Sequence, residues 1–251
     1  MRSKSMAWLF KTVGLESMIL EGGYKSFRHH ALEFLEKGFP FIVIGGLTGS
    51  GKTGVLRALE ESGEQVIDLE MLAHHKGSAF GGLGEKQQGT NEQFENNIFW
   101  QLTSLDPNRV VWTEDESRTI GKNTLPAGIH RSIRFSPVIF LDVSLGDRVK
   151  RLVAEYAKFP EDDLIEAVHK IRPRLGDQIA RLAIEGIKEG NFDRTAELVL
   201  NYYDKTYRYG LEKRDADGVF SLPVRDAICI SDLAKQVLEF LKQSRKAGLK
   251  L

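Results

Sequence analysis

The sequence predicts an α/β fold: a doubly wound parallel sheet of about five strands that carries a helical lobe. Three observations point to it. An apolar run, Phe41-Ile42-Val43-Ile44, leads directly into the glycine-rich stretch Gly46-Leu47-Thr48-Gly49-Ser50-Gly51-Lys52-Thr53. From Phe39 onward, apolar runs alternate with amphipathic segments, the pattern of strands buried on both faces by helices. A stretch without an evident strand, residues 161–211, interrupts that alternation before its last strand.

Near the N-terminus, Met6, Leu9, Phe10 and Val13 share one side while Lys4 and Lys11 lie elsewhere, so an amphipathic helix ending at Gly14 is expected. Met18-Ile19-Leu20 reads as a short strand, and Tyr24, Phe27, Ala31, Phe34 and Leu35 recur at helical spacing until Gly38-Phe39-Pro40. Helix, strand and helix in so short a span enclose no useful core. Residues 1–38 are therefore expected to form a segment that packs on something else, with 39–251 as the main domain.

In that domain strands are expected at Phe41 to Gly45, Gln65 to Leu69, Arg109 to Thr113, Val138 to Val143 and Ala227 to Ile230. Helices are expected near Lys52 to Glu61, Asn91 to Leu102, Pro126 to Arg134 and Gly146 to Tyr156. Helical spacing recurs in Leu164, Ile165, Val168 and Ile171, in Ile179, Leu182, Ala183 and Ile187, and in Ala196, Val199 and Tyr203. An all-helical insertion at about 161–211 would form a lid or lobe over the glycine-rich loop. A last helix carries Leu233, Val237, Phe240 and Leu241 on one face.

The stretch from Gly46 to Thr53 has the spacing G-x-x-x-x-G-K-T. Glycines let successive backbone N–H groups turn inward around phosphate oxygens, Lys52 supplies charge, and the Thr53 hydroxyl can reach a magnesium ion. Val55, Leu56 and Leu59 give the following segment an apolar face, so the loop opens a helix whose N-terminus favours an anion. Strand, loop and helix together predict a P-loop NTPase-like domain in which Gly46, Thr48, Gly49, Ser50, Gly51, Lys52 and Thr53 bind phosphate.

Composition bounds the partners. The chain has 251 residues, with Lys+Arg and Asp+Glu at 35 each, so no global charge excess advertises nucleic acid or membrane, and any basic surface must be local. The single cysteine, Cys229, lies in the apolar run Ala227-Ile228-Cys229-Ile230, which excludes an internal disulfide and suggests buried packing. No apolar stretch reaches the roughly 20 residues that span a bilayer, and a cytoplasmic protein is expected.

The remaining candidates follow strands. Glu114-Asp115-Glu116-Ser117-Arg118 succeeds the third strand, where a phosphate-loop fold places the carboxylate that holds magnesium. Glu114 is the first choice, with an exposed acidic turn as the alternative. Asp68 and Glu70 form a second acidic pair that could instead cap the next helix. His74-His75-Lys76-Gly77-Ser78, with Gly81, Gly82 and Gly84, predicts a polar loop beside the substrate, its histidines lacking metal-ligand spacing. Arg148 and Arg151 share a helix face and could reach phosphoryl oxygens or stay solvated. Basic and aromatic residues interleave in 169–174, which includes Arg174, and in 201–209; the mixture suits RNA and equally suits helix packing.

Several phrases together resemble the tRNA 2-selenouridine synthases: Arg2-Ser3-Lys4-Ser5-Met6-Ala7-Trp8-Leu9, Glu21-Gly22-Gly23-Tyr24-Lys25-Ser26-Phe27-Arg28, the phosphate loop, Asp68-Leu69-Glu70 with His75-Lys76-Gly77-Ser78, and Glu114-Asp115-Glu116-Ser117-Arg118 with Ile120-Gly121. Phe192 through Leu211 continues the likeness. Members of that family join a rhodanese-like domain to a phosphate-loop domain. The resemblance implies exchange of sulfur for selenium at the wobble 2-thiouridine of tRNA through a geranylated intermediate, with selenophosphate and geranyl diphosphate as donors. It implies that Lys52 and Thr53 hold a diphosphate or a nucleotide such as ATP, that Thr53 and Glu114 hold Mg²⁺, that Glu114 or Glu116 assists through metal or proton transfer, and that Arg118 pairs with phosphate. Asp68, Glu70, His75, Ser78, Arg148, Arg151 and Arg174 would face substrate or tRNA. Residues 1–38 resemble only the back part of a rhodanese domain and lack its cysteine, so a separate cysteine-bearing rhodanese partner is expected. A small-molecule kinase of the nucleoside or shikimate type fits the same strands, loop and lid, and a scaffold that uses nucleotide only for assembly is a further alternative.

Overall fold

A computed structural model describes residues 2–214, 218–224 and 229–248. Along the chain run α1 (Arg2–Thr12), α2 (Gly23–Lys37), β1 (Phe41–Gly46), α3 (Lys52–Glu61), β2 (Gln65–Val66), α4 (Leu69–Ala73), α5 (Asn91–Thr103) and β3 (Val111–Glu114). There follow β4 (Thr119–Ile120), β5 (Asn123–Thr124), α6 (Ala127–Phe135), β6 (Val138–Asp142), α7 (Leu145–Tyr156), α8 (Glu161–Leu175), α9 (Asp177–Lys188), α10 (Phe192–Leu211), β7 (Val219–Pro223) and α11 (Ile230–Lys246).

Period-two alternation in β1 builds the two layers. Phe41 and Val43 point into a core with Ala31 and Leu35 of α2, Phe94 and Ile98 of α5, and Ile129 and Ile133 of α6. Ile42 and Ile44 point the other way, against Val55, Leu56 and Leu59 of α3 and Leu233 and Val237 of α11. The sheet is parallel in the order β2-β3-β1-β6-β7. Since β1 is central, with β3 and β6 on either side, the connection leaving its carboxyl end sits at the crevice where open α/β sheets bind ligands.

The insertion between β6 and β7 is helical, as expected. Its core joins Leu164, Val168 and Ile171 of α8, Ala180, Ala183 and Ile187 of α9, and Val199 of α10. Gly186 lets α9 and α10 approach closely, since a Cβ there would meet the Thr195 hydroxyl at 2.4 Å; that hydroxyl donates to the Ala183 carbonyl at 3.2 Å.

Several expectations are corrected. Met18-Ile19-Leu20 forms no strand, and Met18 is fully exposed. The second strand is only two residues long, because Asp68 turns the chain by capping α4: its carboxylate accepts from the Met71 N–H at 2.8 Å. An antiparallel pair of β4 and β5, not anticipated, follows the acidic cluster. Among the described residues the last strand is Val219–Pro223, and the strand expected at Ala227–Ile230 is overturned in its second half. Residues 227–228 lie outside the described residues, while Cys229 is the N-cap of α11 and exposed, and Ile230 begins that helix. As a half-exposed edge strand ending in proline, β7 shows little of the continuous apolar run that marks a central strand.

Residues 1–38 divide. Helix α2 packs on α5 and α6 and belongs to the main core, whereas α1 and the segment after it leave Trp8, Leu9, Val13, Met18 and Leu20 exposed. No helix among the described residues is long and apolar enough to cross a membrane.

Candidate active site

The glycine-rich loop wraps the end of β1 and opens α3. Gly46, Gly49 and Gly51 have φ of 149°, 82° and 88°, conformations that residues with a Cβ rarely adopt. Space is tight as well: a Cβ on Gly49 would stand 3.0 Å from the Arg148 carbonyl oxygen. Lys52 folds back so that its Nζ donates to the Gly46 carbonyl at 3.0 Å, a bond it can exchange for an anion at the helix start.

Around the loop stand helices from the insertion. Arg148 of α7 is 3 % exposed and makes a bidentate pair with Asp204 of α10, at 2.9 and 2.8 Å, while donating to the Thr48 carbonyl at 3.1 Å. Arg151, one helix position further round, donates to the Gly49 carbonyl at 2.8 Å. The Gly46 N–H donates to the Tyr207 hydroxyl of α10 at 3.1 Å, and that hydroxyl donates to Asp115 at 2.8 Å. Arg214 completes the chain by pairing with Asp115 and donating to the Ile133 carbonyl at the end of α6. The lobe is thus fastened to the loop by three side chains.

Beside Lys52, the oxygens of Glu70, Glu114 and Glu116 come within 4.8 Å of one another. Glu114 leaves the end of β3 and is 2 % exposed, with Oε1 lacking a hydrogen-bond partner. Glu70, in the first turn of α4, accepts from the Thr53 hydroxyl at 3.3 Å. Burial, and then repulsion from Glu114 and Glu116, raises the Glu70 pKa. Burial pushes Glu114 up to about 7, against the pull of Lys52, and pushes Glu116 up to about 8 with Glu114 as its strongest neighbour. Three carboxylates facing one lysine need protons or a cation to coexist in low dielectric. Hard oxygen donors with an orphaned buried oxygen suit Mg²⁺, and Thr53 stands at the same place.

A loop over these carboxylates closes the site. A Cβ on Gly77 would lie 3.1 Å from Glu70 and 3.2 Å from Glu116. Lys76 pairs with Glu155 of α7 at 2.6 Å, and the Ala79 N–H donates to Tyr203 of α10 at 3.1 Å. Gln88 then pins the returning chain to the Ala73 and Ile120 carbonyls and to Asn123. The result is a single cavity of about 1360 Å³. One end holds the phosphate loop and the carboxylates; the other runs into the lobe between Tyr156, Leu164, Ile187, Phe192, Val199 and Tyr203.

Comparison with known proteins fits this geometry. A family model described as "tRNA 2-selenouridine synthase AAA domain" matches residues 39–246. The tRNA 2-selenouridine synthase of Salmonella paratyphi B is 33% identical over 255 residues, covering 87% of this chain and 68% of the relative. That of Proteus mirabilis is 33% identical over 248 residues, covering 85% and 67% respectively. The chain belongs to the tRNA 2-selenouridine synthase family.

In this member of the selenouridine synthase family, the matched residues run from β1 to α11 and so take in the whole sheet and the lobe. Of the residues singled out from sequence, Thr48, Gly49, Gly51, Lys52, Thr53, Asp68, Glu70, Ser78, Glu114, Glu116, Arg118, Arg151 and Arg174 line the cavity. Gly46 and Ser50 lie beneath the loop, a Cβ on Gly46 meeting the Ser50 hydroxyl at 2.5 Å. His75 turns its ring toward Gly121 of the β4–β5 turn, away from the cavity. Arg148 is spent on Asp204 and the loop backbone, so the structure gives it to the wall and leaves Arg151 at the mouth. Sequence reading passed over Asp115, Tyr207 and Arg214. Asp115 sat inside a cluster already noted, and Tyr207 in the aromatic run of α10, but their partner Arg214 lies 99 residues from Asp115 in the chain.

Proposed function

We infer that this chain acts on tRNA as its relatives are named to do, replacing sulfur by selenium at a wobble 2-thiouridine through a geranylated intermediate. The observation that carries the reading is the shape of the one cavity: a phosphate cradle continuous with an apolar, tyrosine-walled chamber. A phosphorylated isoprenoid has the same two halves. Its diphosphate would take the loop N–H groups, Lys52 and Arg151, and its hydrocarbon tail would lie between α7, α8 and α10, where each buried methylene is worth about 0.8 kcal/mol. The thiouridine sulfur would displace diphosphate from the geranyl carbon; selenophosphate, in the same cradle afterwards, would add through selenium to C2 of the uridine and expel geranylthiol, and water would then take the phosphate from selenium. Mg²⁺, held by Glu70, Glu114, Glu116 and Thr53, would supply charge to the departing phosphate. Arg118 stands at the cavity rim, on the side left to the tRNA and not to the donor. A rhodanese partner bearing a reactive cysteine would cover the exposed apolar residues of α1.

Calorimetry with pyrophosphate, geranyl diphosphate and ATP, each with Mg²⁺, tests this. Geranyl diphosphate is expected to bind at least tenfold more tightly than pyrophosphate, and Lys52→Ala to weaken both by roughly 10 to 100-fold, the worth of a charge-assisted contact. Equal affinity for pyrophosphate and geranyl diphosphate would remove the chamber from the reading. ATP turnover stimulated by a small hydroxyl compound, with no change in thiolated tRNA by mass spectrometry, would make the chain a kinase.

A further inference from the structure

The cavity has a third wall that the donor does not need. Where the 115–119 loop, α6 and the end of α10 meet, it is lined by Arg118, His130, Arg134 and Lys213. The cations among them, Arg118, Arg134 and Lys213, come from three separate places in a chain with equal numbers of acidic and basic residues. The carboxylate beside them, Asp115, is already held by Arg214 and Tyr207 and stands 3.7 Å from Arg134. Arg118 is exposed and forms no ion pair among the described residues. Arg134 is fixed by donating to the Gly210 carbonyl at 2.7 Å. Burial, and then the positive charge of Arg118, Arg134 and Arg214, lowers the His130 pKa. At the outer edge Tyr209 is 62 % exposed, with the Lys213 ammonium 4.0 Å from its ring centre.

We propose that this wall, with Arg118 and Lys213 as phosphate contacts and Tyr209 as a stacking platform, is where an unpaired RNA strand lies while one of its bases enters the cavity. The inference rests on the tRNA reading above and gives that substrate a docking surface. Uncommitted cations beside an exposed ring suit a single strand, whose backbone is anionic and whose splayed bases each offer a π-face. The wall opens into the same cavity as the phosphate loop, so a base from that strand would meet the donor held there. A diphosphate on the loop leaves these cations unused.

The test uses the full chain, a fluorescent RNA stem-loop with an unpaired loop, and pyrophosphate as a separate probe. In a salt titration, the Arg118→Ala/Lys213→Ala double variant is expected to lose roughly tenfold in RNA affinity, and its plot of log affinity against log salt to flatten by about 1 to 2. Pyrophosphate affinity should stay within twofold. Tyr209→Ala should weaken RNA at an unchanged slope, and Tyr209→Phe should restore it. Lys242→Ala, on α11 across the sheet, should change nothing. Wild-type RNA binding with the slope retained in the double variant overturns the docking surface alone. Absence of RNA binding by the wild type, with pyrophosphate still bound, overturns the tRNA reading as well, whereas loss of pyrophosphate binding in the double variant would reassign these cations to the donor.

Discussion

The two ends of the cavity are made by opposite means. At the loop end the working groups are backbone N–H donors, one lysine and three carboxylates, held by glycine conformations that no other residue adopts cheaply. At the lobe end they are apolar and tyrosine side chains from α7, α8, α9 and α10, and the backbone is hidden inside regular helices. The first end is rigid in its geometry and electrostatically unfinished: Glu114 keeps an oxygen without a partner. The second is satisfied, and its shape follows from how four helices lean on one another. A site built in this way can grip a phosphate with fixed geometry while the lobe sets the size and polarity of whatever hangs from it.

If the ends are joined as described, the largest effect should come from the joint. Arg148→Ala would leave the part-buried Asp204 without its partner and free the Thr48 carbonyl, and it is expected to cost about 3 kcal/mol in urea unfolding. The Arg148→Met/Asp204→Leu pair, which removes both charges, should recover much of that. A loss under about 1 kcal/mol for the single variant would mean that lobe and loop are independent bodies.

The loop end should next reveal itself through pH. Glu70, Glu114 and Glu116 have raised pKa values, so the folded chain binds more protons than the unfolded one above the ordinary carboxylate range. Their contribution to stability is fully present below about pH 4 and is lost as pH rises, through about 7 for Glu114, about 8 for Glu116 and about 10 for Glu70. The melting temperature without divalent ions is therefore expected to fall between pH 5 and 8, Glu114→Gln to flatten that fall, and millimolar Mg²⁺ to reverse it at pH 8 by binding the folded state. A melting temperature that is level across this range, with or without Mg²⁺, would contradict the carboxylate cluster.

The lobe end should respond least and differently. Val199→Ala removes two methyl groups from the chamber wall and should destabilise by about 1.5 kcal/mol without altering pyrophosphate affinity, while weakening an isoprenoid diphosphate. Equal losses for both ligands would show that the two ends are not separable.

The same contrast explains what the sequence disclosed. The phosphate loop was legible because its function lies in spacing along the chain, and the apolar runs of β1, β3 and β6 were legible because both faces of those strands are buried. The helical lobe could be recognised by period, but which of its faces would form a chamber depended on packing partners far away in the chain. Tyr207 illustrates this: its ring could be counted from sequence, yet its hydroxyl matters because α10 returns to the start of the loop 161 residues away. The strand assigned to Ala227–Ile230 gives way at Cys229 and Ile230 to the start of α11 for a related reason. Hydropathy favoured the denser run, while the true edge strand needs only one well-packed face.

That misplaced segment has a practical value. Cys229 is the only thiol in the chain and is accessible at the start of α11, and the next residue, Ile230, rests against the glycine cradle, 3.1 Å from where a Cβ on Gly51 would stand. A maleimide dye attached to the unaltered protein would therefore label one position, a residue away from the cradle wall. Its emission would follow the filling and emptying of that cradle in real time without any engineered cysteine.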